Sequence, residues 1–334
     1  MKFLNLSLRF PHLLTIALLA TVPVLLPATI RAAGTNDAPP KLAVTEQQFA
    51  SPEAAIQALQ TAAGTKGTAG LSEVFGPEFQ ELLTGDTVQD ANNARHLAEA
   101  LAQNCNQVKD GDDKITLEIG TNSWPLPIPL VKTDDGQWHF DTSAGKDEII
   151  NRHIGHDELT AIGVCRAYVT AQQRYAATTA ADGSMIFAQK FKSSPGKKDG
   201  LYWPVADNEP ASPFGPLVAE AHAQGYVAHH GSGPHPFHGY YFKILTRQGP
   251  DAPGGILDYM DHGKLTGGFA LIAYPVQWDQ SGVMTFIVSQ DGKVYQQNLG
   301  EQTYKLAAAI KAYNPDTSWT LVQDAGVSDA VSEK

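Results

Sequence analysis

Five histidines fall within seventeen residues of this chain: His222, His229, His230, His235 and His238. Neutral imidazoles are the commonest ligands for zinc or copper, so a segment carrying this many is the first place to expect metal chemistry. The pattern also sets a limit. No His-x-x-x-His pair sits on a helical repeat, and Gly231, Gly233, Pro234 and Pro236 keep the segment irregular. The five are candidate ligands for zinc or copper, and no other cofactor is expected.

Two further groups carry acid–base side chains. Glu148, His153, His156, Asp157 and Glu158 cluster near the start of a long helical pattern, and Asp258, Asp261, His262 and Lys264 surround a loop before Gly267-Gly268. Either set has residue types that transfer protons. Acids at a helix start also offset the helix dipole, and loop charges are usually solvated; that simpler fate is favoured here. The chain holds no Gly-x-Ser-x-Gly, His-Glu-x-x-His or phosphate-loop motif, so no catalytic residue is assigned and the reading leans away from an enzyme.

Aromatic side chains are more numerous: Trp124, Tyr202, Trp203, Phe237, Tyr240, Tyr241, Tyr259, Tyr274 and Trp278. Exposed rings stack on sugars or grip proteins, and Tyr202-Trp203, in a Gly/Pro-rich stretch, are the candidates for that role. Core burial is the commoner fate of such residues. Cys105 and Cys165 are the two cysteines, and they form either one disulfide or, for Cys165 on an apolar helix face, a buried thiol.

The elements that must position these groups read as follows. Ser51-Pro52-Glu53 is a helix start, with an N-cap, a first-turn proline and an acid at the dipole, and Gly64 ends that helix. Gly76-Pro77 starts a second helix, and Asp90 caps a third that runs to about Cys105. Strands follow at Lys114 to Gly120, Trp124 to Val131 and Trp138 to Phe140, giving three helices and a small meander. At the level of fold this resembles the nuclear-transport-factor-like cones.

A long helix spans about Asp147 to Ala177, with Leu159, Ile162, Cys165, Val169 and Ala176 as its apolar stripe and Gly155 as a weak point. Residues 182–238 are irregular apart from a short helix near Leu217 to Ala223. Strands at Tyr240 to Leu245, Phe269 to Tyr274, Val283 to Ser289 and Lys293 to Gln297 follow, the last two joined by a type I′ turn at Asp291-Gly292. Thr303 to Tyr313 is a last helix and Trp319 to Val322 an extended segment. The fold class is α+β: N-terminal helices with a small β-meander, then a long helix packed on an antiparallel four-stranded sheet.

The N-terminus carries an address. Lys2 and Arg9 precede an apolar run from Leu13 to Leu26, and small residues at Ala32 and Ala33 complete a cleavable secretory signal over 1–32. The run is too short to span a bilayer, and no cysteine adjoins the cleavage region. The full chain has 24 Lys and Arg against 35 Asp and Glu; losing Lys2, Arg9 and Arg31 leaves 21, a net charge of −14. So acidic a chain repels phosphate backbones, which argues against nucleic acid and anionic lipid as partners. The expected organisation is a disordered leader at 33–44, an α+β module at 45–145, a second at 146–325, and a disordered tail at 326–334.

Two resemblances follow from particular segments. Asp157 to Ile162 and Thr170 to Ala176, with the strands Gly239 to Phe242, Gly268 to Pro275, Thr285 to Val288 and Asp291 to Tyr295, resemble the helix and sheet of type IV pilin-like and pseudopilin-like globular domains. Pilins assemble through an apolar N-terminal helix half. Here Lys146 to Glu158 is charged, so the resemblance implies the fold without a fibre. Ser51 to Ala55, Trp124 to Pro129, Asp199 to Pro204, Ala252 to Gly255 and Gly282 to Val288 resemble the bacterial secreted family catalogued as domain of unknown function 2950. That likeness covers Phe49 to about Val322 and implies no activity. The sequence thus describes a periplasmic or secreted envelope protein, with no membrane span after signal cleavage. Its expected role is non-enzymatic binding of a partner protein or a cell-wall or matrix polysaccharide. The alternative is a periplasmic metal-binding protein or hydrolase using 222–238.

Overall fold

The computed structural model describes residues 46–179, 185–206, 208–226 and 235–323; the expected secretory signal, leader and tail lie outside these. Ser51 opens the first helix as its residue type dictates, its hydroxyl accepting from the Ala54 amide at 3.2 Å. α1 (Pro52–Lys66) runs past Gly64 and ends at Gly67, and α2 (Thr68–Phe75) follows at once. A 3₁₀ turn over Pro77–Leu82 leads to α3 (Thr87–Gln103). The cap of α3 is Asp86 rather than the expected Asp90. Asp86 Oδ1 accepts from the amides of Val88 and Gln89, while Asp90 sits inside the helix and accepts from the amide and hydroxyl of Thr84.

Where the third helix was expected to reach Cys105, the chain instead enters a strand. β1 (Cys105–Lys109), β2 (Lys114–Ile119), β3 (Trp124–Pro125), β4 (Leu130–Lys132) and β5 (Trp138–Phe140) form an antiparallel sheet ordered β1-β2-β4-β5, with β3 also on β2. On β2, Ile115, Leu117 and Ile119 alternate into the core beside Phe75, Phe140 and Leu59.

α4 (Thr142–Thr179) has 38 residues and is about 57 Å long at ordinary helical rise. It runs unbroken through Gly155. That glycine costs about 1 kcal/mol against alanine, a cost offset because the helix is anchored in two cores. Ile149 and Ile150 pack against the N-terminal core, whereas Ala161, Cys165, Tyr168 and Tyr175 belong to the second. Leu159, expected on the buried stripe, is 67 % exposed. Cys165, Val169 and Ala176 of that stripe are buried, and Ala161, Val164 and Tyr168 join them on the buried face.

After α4 come α5 (Gly215–Ala223), β6 (Tyr240–Leu245) and the short strands β7 (Arg247–Gln248), β8 (Leu257–Asp258), β9 (Met260–Asp261) and β10 (Lys264–Leu265). β11 (Ala270–Pro275), β12 (Met284–Ser289), β13 (Val294–Asn298), α6 (Thr303–Ala309) and β14 (Thr320–Leu321) complete the chain. The second sheet is antiparallel, ordered β14-β13-β12-β11-β6, so the four expected strands gain a fifth from the closing extended segment. β11 is buried at every residue because it is covered on both sides. Tyr240 and Phe242 lie on the α4 side; Tyr241 and Lys243 face α6, where Lys243 Nζ donates to the carbonyls of Ala307, Ala308 and Ile310. The β12–β13 turn is not type I′. The Gly292 amide donates to Ser289 O at 3.0 Å, and of the pair Asp291-Gly292 only the glycine has positive φ.

Both cysteines are free. Cys165 is fully buried in the second core and Cys105 lies at the edge of the first, so the disulfide does not form. Among the described residues no helix is long and apolar enough to cross a membrane.

Candidate functional site

A buried polar cluster lies where α3, the middle of α4 and the segment before β6 meet. Asp86 organises it. Its Oδ1 caps α3, and its Oδ2 accepts from the Tyr226 hydroxyl at 2.9 Å and the Gly239 amide at 3.4 Å. The Tyr226 oxygen in turn accepts from the His238 amide at 3.1 Å. Burial, more than the nearby Asp86, pushes the Tyr226 hydroxyl far up, so it serves as a fixed donor.

His238 has φ of +45°, a conformation that a non-glycine residue keeps only when its surroundings impose it. Its Nε2 stands 2.6 Å from Gln224 Oε1. An amide oxygen only accepts, so the proton sits on Nε2 and the lone pair on Nδ1, which is buried without a hydrogen-bond partner. Burial, then the neighbouring His156, lowers the imidazole's proton affinity.

Asp157 is fully buried. Gln89 Nε2 donates to its Oδ1 at 2.5 Å, and its Oδ2 has no hydrogen-bond partner. Burial pushes this carboxyl up to about 8, with Asp86, Asp90 and Glu158 adding to the rise against the Gln89 bond. His156, one residue earlier, is exposed, and its ring stands edge-on to His238 at 5.6 Å. His156, Asp157 and His238 each offer a ligand atom within 4.8 Å of the others.

A cavity of about 320 Å³ lies in the N-terminal core. Leu71, Phe75, Leu97, Ile119 and Leu126 wall it; Asp90, Asn93 and His153 are polar residues of the lining, with Thr68 and His96. His153 Nε2 is 3.4 Å from Asn93 Nδ2, and burial lowers its proton affinity. Burial raises Asp90, against two bonds from Thr84. The polar residues of the cavity and of the cluster share α3 and α4: Asp90 follows Asp86 and Gln89, and His153 precedes His156 and Asp157 by one turn.

The expected site residues separate. Of the histidine segment, His238 joins the cluster, His222 is exposed on α5, and His235 is exposed beside Phe237. His229 and His230 lie outside the described residues. Glu158 is structural: its Oε1 accepts from the amides of Val283 and Met284, both at 2.9 Å. Glu148 pairs with Arg152 at 2.6 Å. Asp258, Asp261, His262 and Lys264 form a surface turn, with His262 2.7 Å from Asp261. Tyr202 and Trp203 are half-buried against the second core, with Lys198 Nζ 5.5 Å over the Trp203 ring. The residues not foreseen are Asp86, Gln89, Gln224 and Tyr226. One signal for them stood in the sequence: His238-Gly239 directly before a strand marks a close backbone approach.

A family model described as a protein of unknown function (DUF2950) matches residues 46–322. No curated protein and no solved structure matches the chain.

Proposed function

The chain belongs to the DUF2950 family, and from that premise we propose that it is an exported, non-enzymatic binding protein of the cell envelope. Its ligand is a small amphipathic molecule held in the N-terminal cavity. The carrying observation is the cavity itself. Protein interiors close-pack, and a space of about 320 Å³ with apolar walls and a few converging polar groups has the form of a ligand pocket. The apolar body of the ligand meets Leu71, Phe75 and Leu97, and its polar head meets Asp90, Asn93 and His153. Trp124 lines the same space, with Arg152 stacked at 4.8 Å from its ring.

A binding role is favoured over catalysis because three of the acids around the cavity and the cluster are already engaged. Asp86, Asp90 and Glu158 all accept hydrogen bonds from fixed amides or hydroxyls. Export rests on the N-terminal pattern of Lys2, Arg9 and the apolar run. The long helix followed by an antiparallel sheet supports a pilin-like head that does not polymerise, since the first half of α4 packs on the N-terminal core through Ile149 and Ile150.

The test is displacement of an apolar fluorescent probe, an anilinonaphthalene sulfonate, from the purified protein by candidate amphiphiles. Ala94 is buried on the cavity wall, and Ala94→Phe fills the space. Saturable probe binding in the wild type that is lost in the folded variant supports the reading; binding equal in both sinks it. Pull-down from envelope extract with Tyr202 and Trp203 replaced by Ala tests a protein partner, and unchanged recovery excludes those two residues from it.

A further inference from the structure

We propose that His156, Asp157 and His238 form a binding site for one divalent transition metal ion of the zinc type. Two imidazoles and a carboxylate are the donor set that zinc prefers, and one that calcium and magnesium, which take oxygen ligands, do not. The donors come from the middle of α4 and from the segment before β6, so the tertiary fold alone brings them within 4.8 Å.

Two of the three residues each carry a buried atom with no hydrogen-bond partner. Asp157 is fully buried and its Oδ2 is unpartnered; the His238 Nδ1 lone pair is likewise buried and unpartnered. Buried polar atoms are nearly always satisfied, so an orphaned carboxylate oxygen and an orphaned imidazole nitrogen on two residues of one cluster point to a partner that a cation supplies.

The groups behind the ligands are arranged as a metal site needs. Gln224 Oε1 holds the Nε2 proton of His238 and so directs Nδ1 inward, while Gln89 holds Asp157 Oδ1 and leaves Oδ2 available. Gly239 permits the approach: a Cβ there would stand 2.6 Å from Asp157 Oδ2. His238 is held at positive φ by this packing. His156 is exposed, giving the ion a route from solvent and leaving a fourth position for water. In a tetrahedral zinc site the ligand atoms stand roughly 3.3 Å apart. The three donors already lie within 4.8 Å of one another, and the exposed His156 side chain is free of core packing that would oppose its rotation toward the ion.

The experiment is calorimetric titration of zinc chloride into the purified, EDTA-treated protein carrying no polyhistidine tag. One equivalent is expected to bind saturably. His156→Ala, at an exposed position that the fold does not need, is expected to weaken binding at least about tenfold. Asp157→Asn is expected to do the same, and a variant lacking His222 and His235 is expected to bind as the wild type does. Cobalt should give the intense visible absorption of a tetrahedral site in the wild type and lose it in His156→Ala. Absence of saturable zinc binding overturns the proposal. So does binding that survives His156→Ala, or that disappears with His222 and His235.

Discussion

The Tyr226 hydroxyl donates to Asp86 Oδ2 at 2.9 Å, joining the chain that leaves α5 to the cap of α3. The same oxygen accepts from the His238 amide, so one hydroxyl holds both the helix start and the strained residue beside it. Removing it leaves His238 N–H without its acceptor and Asp86 Oδ2 with only the longer bond from Gly239. Tyr226→Phe should therefore cost about 1–3 kcal/mol, read as a lower urea midpoint at unchanged slope. An unchanged midpoint would show that the hydroxyl is not coupled to the fold.

Gly239 is the tightest position in the cluster. Its φ is +67°, and an added Cβ would meet Asp157 Oδ2 at 2.6 Å and Ser281 Cβ at 2.8 Å. Both neighbours are fully buried and neither has room to withdraw. Gly239→Ala should destabilise by at least about 2 kcal/mol, combining backbone strain with overpacking. Gly155→Ala is the control. Nothing lies within 4 Å of that position, so the substitution should raise the melting temperature by relieving a helix-interior glycine. Equal effects at the two sites would refute the argument.

What could be read from the chain alone depended on how local the determinant was. Ser51-Pro52-Glu53 specifies its own helix start, and the three-residue reach of a cap is visible in the string. Asp86 and Asp90 show the limit. Both have an N-cap's residue type four positions apart, and the choice is made by the Thr84 amide and hydroxyl, which engage Asp90. Leu159 fits the apolar stripe by spacing, yet the buried face of α4 is set by where β11 and β12 pack. His238 is one of five histidines within seventeen residues. Its neighbours His156 and Asp157 belong to a different cluster in the sequence, and no local pattern joins the two.

The buried ionisable groups make stability of the metal-free protein depend on pH in two opposing ways. Burial lowers His153 below its ordinary 6.5, so the unfolded chain takes up a proton that the native imidazole refuses. Stability then falls as pH drops through about 6.5. Asp157 acts oppositely. Its native carboxyl titrates at about 8 against an ordinary 3.8, so the unfolded state ionises first, and stability falls as pH rises from about 4 until it levels above about 8. Urea unfolding in EDTA at several pH values separates them. His153→Leu should shrink the acid-side decline, the remainder coming from His238, which burial lowers in the same direction, and Asp157→Asn should lose the decline toward pH 8. Identical profiles for wild type and both variants would contradict these assignments.

The two thiols give the last test, because two cysteines in a protein proposed to be exported invite the assumption of a disulfide. Cys165 is fully buried on α4 and its thiol is pushed up to about 12 by desolvation, while Cys105 opens β1 at the edge of the other core, raised by the same cause. A bond between them would require the cores to exchange packing, at a cost that one cross-link of about 2–4 kcal/mol would not offset. Alkylation under denaturing conditions, with no reductant present, should add two groups to protein recovered from an oxidising compartment. In the native state Cys105 should react first and Cys165 only on unfolding, since thiolate is the reacting form and access limits both. No alkylation after denaturation would establish the disulfide and overturn this packing of α4.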